Sequence, residues 1–319
     1  MAALSVIICS HNPRPDYLRR TLNALQGQTL PVDQWEMLFI DNASERPLAE
    51  IWDISWHPRG RHVREDELGL TPARLRGIVE SRGDILVFVD DDNVLGPDFL
   101  KQVTFIRSHY PRLGVYGAGS IEPEFEIQPS PEFDTRLSLL ALRTVPSALW
   151  TNNIRDSNCI PWGAGLCVSR KVANHYREVV AQLNMATILD RRGKQLFSGG
   201  DDLFSWASVA AGQGFGLFPE LRIKHLIPAG RLQRQYFVRL VHDSAFSNSV
   251  LHYLLTGSNA QRVNLLRFFH LLLHGIRNGW FSMRCQWAWS QGQDQAARFI
   301  SSNKLQAVEP TLRPLITNF

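Results

Sequence analysis

Cysteine is scarce in this chain of 319 residues, which contains four: Cys9, Cys159, Cys167 and Cys285. Their spacing matches no paired zinc motif, and a disulfide framework is not implied in a chain of this length. The net charge is small as well. The formal excess of +4 is too small to indicate a nucleic-acid partner, although it would help to hold anionic phosphates.

Long hydrophobic runs are also missing, and no stretch is long enough to span a bilayer. The first apolar segment begins at Leu4, which leaves no room for the basic and apolar regions of a signal peptide. We therefore expect a cytoplasmic protein. A hydrophobic content of 44% is typical of a globular protein with a substantial core, and the length allows one large α/β domain or two coupled ones.

What the chain does have is a short apolar run that ends in three carboxylates. Residues 85–89 are β-branched or aromatic for the most part, which predicts a strand buried on both faces. Asp90, Asp91 and Asp92 follow at its end, where a parallel sheet binds ligands. Adjacent carboxylates at a buried strand end need a cation or hydrogen-bond donors, and oxygen ligands suit Mg²⁺ or Mn²⁺. A solvated acidic turn is the alternative.

Two earlier apolar segments, residues 4–9 and 35–40, predict strands separated by a helix with Asp16 at its N-cap. Polar residues follow both strands: Ser10, His11 and Asn12 after the first, and Asp41 after the second. Alternating strands and helices of this kind indicate a doubly wound α/β sheet. A carboxylate placed like Asp41 often binds a nucleotide's ribose or base, and an Asx-turn is the alternative.

The next helix is predicted to begin with Thr71 at the N-cap and Pro72 at its first position. An apolar stripe follows, formed by Leu75, Ile78 and Val79. Arg74 lies in the first turn, close to the strand ends. It can clamp a diphosphate with two hydrogen bonds, or it can form a surface ion pair.

Four segments in this order and spacing resemble family 2 glycosyltransferases: residues 5–12, 39–44, 69–74 and 87–92. The resemblance covers roughly residues 4–240. It implies the GT-A fold, a Rossmann-like mixed or parallel sheet flanked by helices. The chain departs from the family at His11, where a tyrosine is common, and at Leu75, where the family often has asparagine after alanine and arginine; both leave base and sugar selectivity open.

The resemblance also implies roles for individual residues. The expected nucleotide-binding residues are Ser10, His11, Asn12, Asp41, Arg74, Asp90 and Asp91. Asp92 and His225 are expected to hold Mn²⁺ or Mg²⁺, and Arg231 and Arg234 to hold the diphosphate as it leaves. Trp162, Gly163 and Asp201 are expected on the acceptor side. Trp162 can also be a core residue, and a lone histidine such as His225 is often structural.

Residues 198–206 resemble the family's Gly-Glu-Asp motif at a helix start, with Asp201 in the place of the glutamate. Glycosyl transfer needs a carboxylate that takes the proton of the acceptor hydroxyl. Adjacent helical residues point about 100° apart, so both aspartates cannot face one hydroxyl. By the motif match the base is Asp202, while Asp201 binds the acceptor or caps the helix. The alternative is a carboxylate pair favoured only by the helix dipole.

The remaining segments carry weaker signals. Residues 114–119 predict a strand, residues 122–134 a loop that is either a lid or disordered, and residues 138–142 the start of a short helix. The chain is expected to divide into a nucleotide-sugar half (1–118), an acceptor half (119–240) and a C-terminal helical region (241–319). That last region has aromatic and basic residues interleaved, so its helices either pack on the rest or contact the inner face of the membrane peripherally.

The predicted activity is a metal-dependent, inverting transfer of a sugar from a nucleotide diphosphate donor to a hydroxyl group. A UDP-sugar is the favoured donor, and a glycan or lipid-linked acceptor in surface polysaccharide or glycoconjugate biosynthesis is expected. Two alternatives remain. A haloacid-dehalogenase-type phosphatase would use Asp90 as nucleophile but leaves the two preceding strand–helix units unexplained. A non-catalytic nucleotide- or sugar-binding module would have no need for Asp202.

Overall fold

The computed structural model of the chain describes residues 4–183, 199–258 and 265–302, without the side chains of 255 and 265–278. Within these residues, no helix combines the length and the apolar character needed to cross a membrane. Residues 259–264, and the side chains of Arg267, His270 and Arg277, lie outside what is described. Part of the predicted basic surface of the C-terminal region therefore lies outside the described residues.

The described strands are β1 (Leu4–Ser10), β2 (Trp35–Asn42), β3 (Gly60–Glu65), β4 (Ile85–Asp90), β5 (Asn93–Leu95), β6 (Leu113–Phe125), β7 (Arg143–Thr144), β8 (Leu149–Thr151), β9 (Leu166–Ser169) and β10 (Gly214–Ile227). The described helices are α1 (Pro15–Gln26), α2 (Leu70–Glu80), α3 (Phe99–His109), α4 (Arg170–Leu183), α5 (Gly200–Ala210), α6 (Arg234–Thr256) and α7 (Leu265–Ser302).

The strands form one mixed sheet in the order β3-β2-β1-β4-β9-β6-β10-β5. The first four of these strands are mutually parallel, whereas β9 runs antiparallel to both β4 and β6. β6 and β10 are parallel to each other, and β5 pairs antiparallel with β10. The predicted α/β class, with a mixed sheet flanked by helices and a helical C-terminal region, is confirmed.

Both faces of the sheet are covered, which explains why its central strands are apolar at almost every position. Val6, Ile8 and Val87 belong to one buried cluster, shared with Leu18 of α1 and Val103 of α3. Ile7, Leu38 and Leu86 point into a second cluster, shared with Ile78 of α2 and Phe204 of α5. Because helices cover both faces, ligands can reach the sheet only at its edges and at the strand ends.

The starts of the first two helices differ from the prediction. α1 begins at Pro15, which suits the first helical position, and Asp16 forms an ion pair with Arg14 at 2.8 Å instead of capping the helix. α2 begins at Leu70 with Gly69 at the N-cap, where φ is 149°, so Thr71 lies inside the helix. Val79, predicted in the apolar stripe, is exposed.

Residues 122–134 are not the continuous loop that their proline and glutamate content indicated. β6 continues to Phe125, because β10 pairs with it in parallel as far as Ile227. Residues 131–140 form 3-10 turns, and Phe133 and Leu140 from this segment are buried. Pairing with a distant strand therefore overrode the local composition, and the short helix expected over 138–142 is the end of these turns.

The C-terminal helices pack against the helices that cover one face of the sheet. Phe246 of α6 and Ile300 of α7 lie in the same buried cluster as Phe204 of α5. α7 is interrupted at Gly279, where φ is 83° and ψ is 160°. Because α6 begins at residue 234, it crosses the predicted boundary at residue 240, and the three-part division stays a prediction.

Candidate functional site

The end of β4 and the last residues of β10 bring Asp92 and His225 together. The antiparallel pairing of β5 with β10 sets His225 opposite Asn93, and the backbone N–H of Leu226 donates to the Asp92 carbonyl at 2.9 Å. As a result, Asp92 Oδ2, between β4 and β5, lies 3.4 Å from Nε2 of His225, which is the third residue from the end of β10. Asn93 Nδ2 donates to Asp92 Oδ1 at 2.9 Å and so helps to orient the carboxylate. Both side chains are buried.

Arg231 completes this cluster from the segment that precedes α6. Its Nη2 lies 3.0 Å from Asp92 Oδ2, and its Nη1 lies 3.1 Å from His225 Nε2. A guanidinium can only donate, so His225 Nε2 must present a lone pair. His225 Nδ1 is buried, and no described residue forms a hydrogen bond with it.

The donor atoms of this cluster are of the kinds that bind a divalent cation. A carboxylate oxygen and an imidazole lone pair face the same guanidinium, and both are ligands of Mn²⁺. In the part of the chain that the structure describes, no group of three or more histidine, cysteine or acidic side chains forms a metal-binding cluster. An ion held by Asp92 and His225 would thus need oxygens from a bound diphosphate to complete its shell.

Asp91 lies behind this cluster and is held by the strand β1. Ser10 Oγ donates to its carboxylate, and Thr21 Oγ1 donates to its backbone carbonyl at 3.2 Å. Burial raises the pKa of Asp91 to about 7, and the neighbouring charges of Asp92 and Asp90 act in the same direction. The hydrogen bond therefore brings Ser10 and Asp91, two predicted nucleotide-binding residues, together.

Asp41 anchors the loop that follows β2. Its carboxylate accepts hydrogen bonds from the backbone N–H groups of Ser44 at 3.1 Å and Leu48 at 3.0 Å, and from Arg64 Nη1 at 2.7 Å. Burial would raise the pKa of Asp41, but these hydrogen bonds outweigh it and lower that pKa. The two N–H groups lie three and seven residues after Asp41, so these bonds are not those of an Asx-turn, and together with Arg64 they hold the carboxylate ionised at the strand end.

His11 and Asn12 brace the same loop from the end of β1. His11 Nδ1 donates to the Asn42 carbonyl at 2.8 Å. Asn12 adopts a left-handed conformation with φ at 46°, and its Oδ1 accepts from the Glu45 N–H at 3.0 Å. Both predicted nucleotide-binding residues therefore lie between the ends of β1 and β2.

Arg74 lies buried beneath the cleft instead of reaching outward. Its Nη1 donates to Asp201 Oδ1, and the Gly163 N–H donates to Asp201 Oδ2 at 2.8 Å. The charges of Asp90 and Asp201 both act on the guanidinium. A side chain at position 163 would collide with this pair, since a Cβ there would lie 2.3 Å from Arg74 Nη2. Asp201 and Gly163, predicted on the acceptor side, are thereby joined to Arg74, predicted on the nucleotide side.

Asp202 differs from Asp201 in having no such partner. It is half-buried in the first turn of α5, and among the described residues no group donates a hydrogen bond to its carboxylate. Burial raises the pKa of Asp202 to about 7; the charge of Asp201 adds to this effect, and that of Arg143 opposes it. A carboxylate with free lone pairs and a pKa near neutrality is suited to accept a proton.

Arg143 is the residue at this site that sequence reasoning missed. It lies on the two-residue strand β7, opposite Ile121 of β6, and its Cζ is 3.5 Å from the centroid of the Trp162 ring. Its Nη1 donates to the Ile160 carbonyl at 2.7 Å. One face of Trp162 is therefore covered by a cation, and the side chain also packs against the buried cluster that contains Val6 and Val87. No periodicity or motif marks position 143.

Arg234 is not brought into the cluster formed by Asp92, His225 and Arg231. It is the first residue of α6 and lies on the surface, where its Nη2 is 2.8 Å from Glu132 Oε2 and its Nε donates to the same carboxylate. Its expected contact with the diphosphate stays a prediction.

Comparisons with known proteins relate this chain to glycosyltransferases. Residues 5–123 match the family model described as Glycosyl transferase family 2. The succinoglycan biosynthesis protein ExoW of Rhizobium meliloti is 34% identical over 105 residues, which cover 31% of this chain and 32% of that protein. The glycosyltransferase AglE of Haloferax volcanii is 32% identical over 92 residues, covering 28% of this chain and 30% of that protein. The chain thus spans less than a third of the length of the curated relatives it matches.

A solved structure is similar over nearly the whole chain. The mannosyltransferase PcManGT from Pyrobaculum calidifontis, in complex with GDP-Man and Mn²⁺, matches 99% of this chain and 83% of its own, with a TM-score of 0.52 and 16% identity. At this identity the likeness concerns the fold.

Proposed function

We propose that this chain, a member of glycosyl transferase family 2 over residues 5–123, transfers a sugar from a nucleotide diphosphate donor to an acceptor hydroxyl group. The proposal rests on the contrast between two adjacent carboxylates in the first turn of α5, those of Asp201 and Asp202. Asp201 is fixed by Arg74 and Gly163, whereas Asp202 is desolvated and free to accept a proton. Arg74 ties this turn to the end of β4, where Asp90 lies.

In the proposed reaction, Asp202 takes the proton of the acceptor hydroxyl as its oxygen attacks the anomeric carbon of the donor sugar. The bond from that carbon to the diphosphate oxygen breaks, and its electron pair leaves with the diphosphate. A single displacement of this kind inverts the anomeric configuration. Asp41, Ser10, His11 and Asn12 line the strand ends on the nucleoside side.

Asp92 and His225 are the residues that would hold Mn²⁺ or Mg²⁺. A bound cation would offset the negative charge that develops on the leaving diphosphate. Arg231 supports the same role, because its guanidinium already lies between these two side chains. Arg234 is placed further out and is proposed to meet the diphosphate only if it leaves Glu132.

We propose a chemical class for the donor and one for the acceptor. A UDP-sugar is the favoured donor, and a GDP-sugar belongs in the same test because PcManGT is described with GDP-Man. The relative named for succinoglycan biosynthesis supports an acceptor in polysaccharide or glycoconjugate assembly, either a glycan or a lipid-linked sugar. The phosphatase alternative is not retained, because the GT-A-type sheet accounts for the strand–helix units that precede β4.

Peripheral membrane contact through the C-terminal helices also remains a proposal. Trp280 and Trp287 of α7 are 76% and 45% exposed, and the exposed Arg284 lies between them at helical spacing. Tryptophan and arginine at one helix face are typical of an interfacial surface. Sedimentation with anionic vesicles, compared between the parent chain and a Trp280→Ala, Trp287→Ala double variant, tests this contact.

The activity is tested by screening nucleotide sugars with Mn²⁺ for thermal stabilisation and for release of the nucleoside diphosphate. Stabilisation by one nucleotide class is expected, because a ligand that binds only the folded state raises the melting temperature. Failure of every nucleotide sugar to bind, together with phosphate release from generic phosphoesters, would overturn the proposal.

A further inference from the structure

Three arginines around the cleft each meet an aspartate within ion-pair distance: Arg64 with Asp41 at 2.7 Å, Arg231 with Asp92 at 3.0 Å, and Arg74 with Asp201. Arg143 is different. Among the described residues, no carboxylate lies within 4.0 Å of its guanidinium. It is a partly buried cation whose guanidinium contacts no carboxylate of the described residues.

The contacts of Arg143 leave most of its donors available. A guanidinium carries five N–H donors, and the described residues account for one of them, through the Ile160 carbonyl at 2.7 Å. Stacking on Trp162 at 3.5 Å fixes the plane of the group. Burial lowers the pKa of Arg143 to about 10, which agrees with a charge that has lost water without gaining a partner.

Arg143 also lies close to the turn that carries Asp202, the carboxylate proposed to face the acceptor hydroxyl. Its guanidinium stacks on Trp162, and the neighbouring Gly163 N–H donates to Asp201, the residue before Asp202, at 2.8 Å. The charges of Arg143 and Asp202 act on each other. A fixed planar guanidinium is suited to bind a carboxylate or a phosphate through two parallel hydrogen bonds.

We propose that the acceptor carries an anionic group, a carboxylate or a phosphate, close to the hydroxyl that is glycosylated, and that Arg143 binds this group. The inference rests on the proposed glycosyl transfer. The anion is the partner that the cleft lacks for Arg143, and the interaction selects acidic acceptors over neutral ones of the same shape. Trp162 holds the guanidinium in position for this contact.

The experiment compares matched acceptors at a fixed donor: methyl glycosides of glucose, galactose and mannose, their uronates, and their 6-phosphates. A hydrogen bond to a charged group contributes roughly 1.5–3 kcal/mol, so the preferred charged acceptor should exceed its neutral counterpart about 10- to 100-fold in kcat/KM. Whether uronates or 6-phosphates gain identifies the anion. Arg143→Gln should bring this ratio close to one, and Arg143→Lys should retain part of it.

Arg136→Gln provides a matched control, because Arg136 also lies over an aromatic ring, that of Phe281 at 5.5 Å, but packs against α7. This variant should keep the charged-to-neutral ratio of the parent. Nucleotide-dependent thermal stabilisation checks that Arg143→Gln is folded.

Equal rates on charged and neutral acceptors in the parent chain would overturn the inference and leave glycosyl transfer standing. The same holds if Arg143→Gln shifts only the pH profile, since Arg143 would then act through Asp202 alone. Absence of transfer from any nucleotide sugar to any of these acceptors would overturn both.

Discussion

Arg231 donates to His225 Nε2 at 3.1 Å, the atom of the imidazole that faces Asp92. The guanidinium, the imidazole and the carboxylate therefore meet at one point at the end of β4. A positive charge is already favoured there by the fold, before any ligand binds. The predictions below follow from this cluster and from the turn that carries Asp202.

Asp92→Ala should weaken metal-dependent nucleotide binding by about 10-fold or more, because the change removes one of two protein ligands proposed for the cation. Calorimetric titration of UDP and GDP with and without Mn²⁺ measures the effect. Glu122→Gln, on the exposed part of β6, is the matched carboxylate control and should bind as the parent does. Unchanged titration of both nucleotide and metal in Asp92→Ala would remove Asp92 from the site.

Asp202→Asn should bind the donor normally but lower turnover by ~10²–10⁴-fold, since an amide cannot accept the hydroxyl proton. Initial rates of transfer at saturating donor measure the loss. Asp294→Asn on α7 tests the same chemical change at a surface ion pair and should leave turnover intact. Normal turnover in Asp202→Asn would refute its role as base.

The rate should fall on acidification through a pH of about 7, because the raised pKa of Asp202 leaves it protonated below that value and only the ionised form is a base. The profile of kcat/KM against pH should show this fall with a slope of one proton. Arg143→Gln should move the fall to higher pH, since the Arg143 charge favours the ionised carboxylate. A profile without an acidic fall above pH 5 would contradict the assignment.

Gly163→Ala should lower the melting temperature and the rate together. The new methyl group would lie 2.3 Å from Arg74 Nη2 and 2.9 Å from both carboxylate oxygens of Asp201, so the buried pair must separate. Overpacking of this kind costs about 1–3 kcal/mol. Gly230→Ala is the control, because a Cβ there meets no atom within 4 Å. Equal unfolding curves for the two variants would show that the pair tolerates the methyl group.

The central strands β1, β2 and β4 could be predicted from sequence because their apolar runs follow from burial on two faces, as in residues 4–9 and 85–89, whereas the half-buried β3 was not predicted. Asp92 and His225 could be paired only through the family resemblance, since 133 residues separate them and local patterns contain no distance information. Their contact depends on the register of β5 against β10.

Other features could not be predicted for identifiable physical reasons. Arg74 was expected to clamp a diphosphate or to form a surface ion pair, yet it is buried and a distant helix supplies Asp201 as its partner. Arg143 lies on a strand of two residues, too short to produce any periodicity. The prolines and glutamates of residues 122–125 indicated a loop, but pairing with β10 kept them in the sheet.

The buried charge of Arg74 acts on two aspartates at once. It interacts with Asp90 on one side of the cleft and with Asp201 on the other. The proposed donor and acceptor sides therefore share an electrostatic element, and substitutions at Asp90 and Asp201 should not be energetically independent. Substitutions that change the donor specificity should therefore also alter acceptor binding, and the two specificities are expected to evolve together.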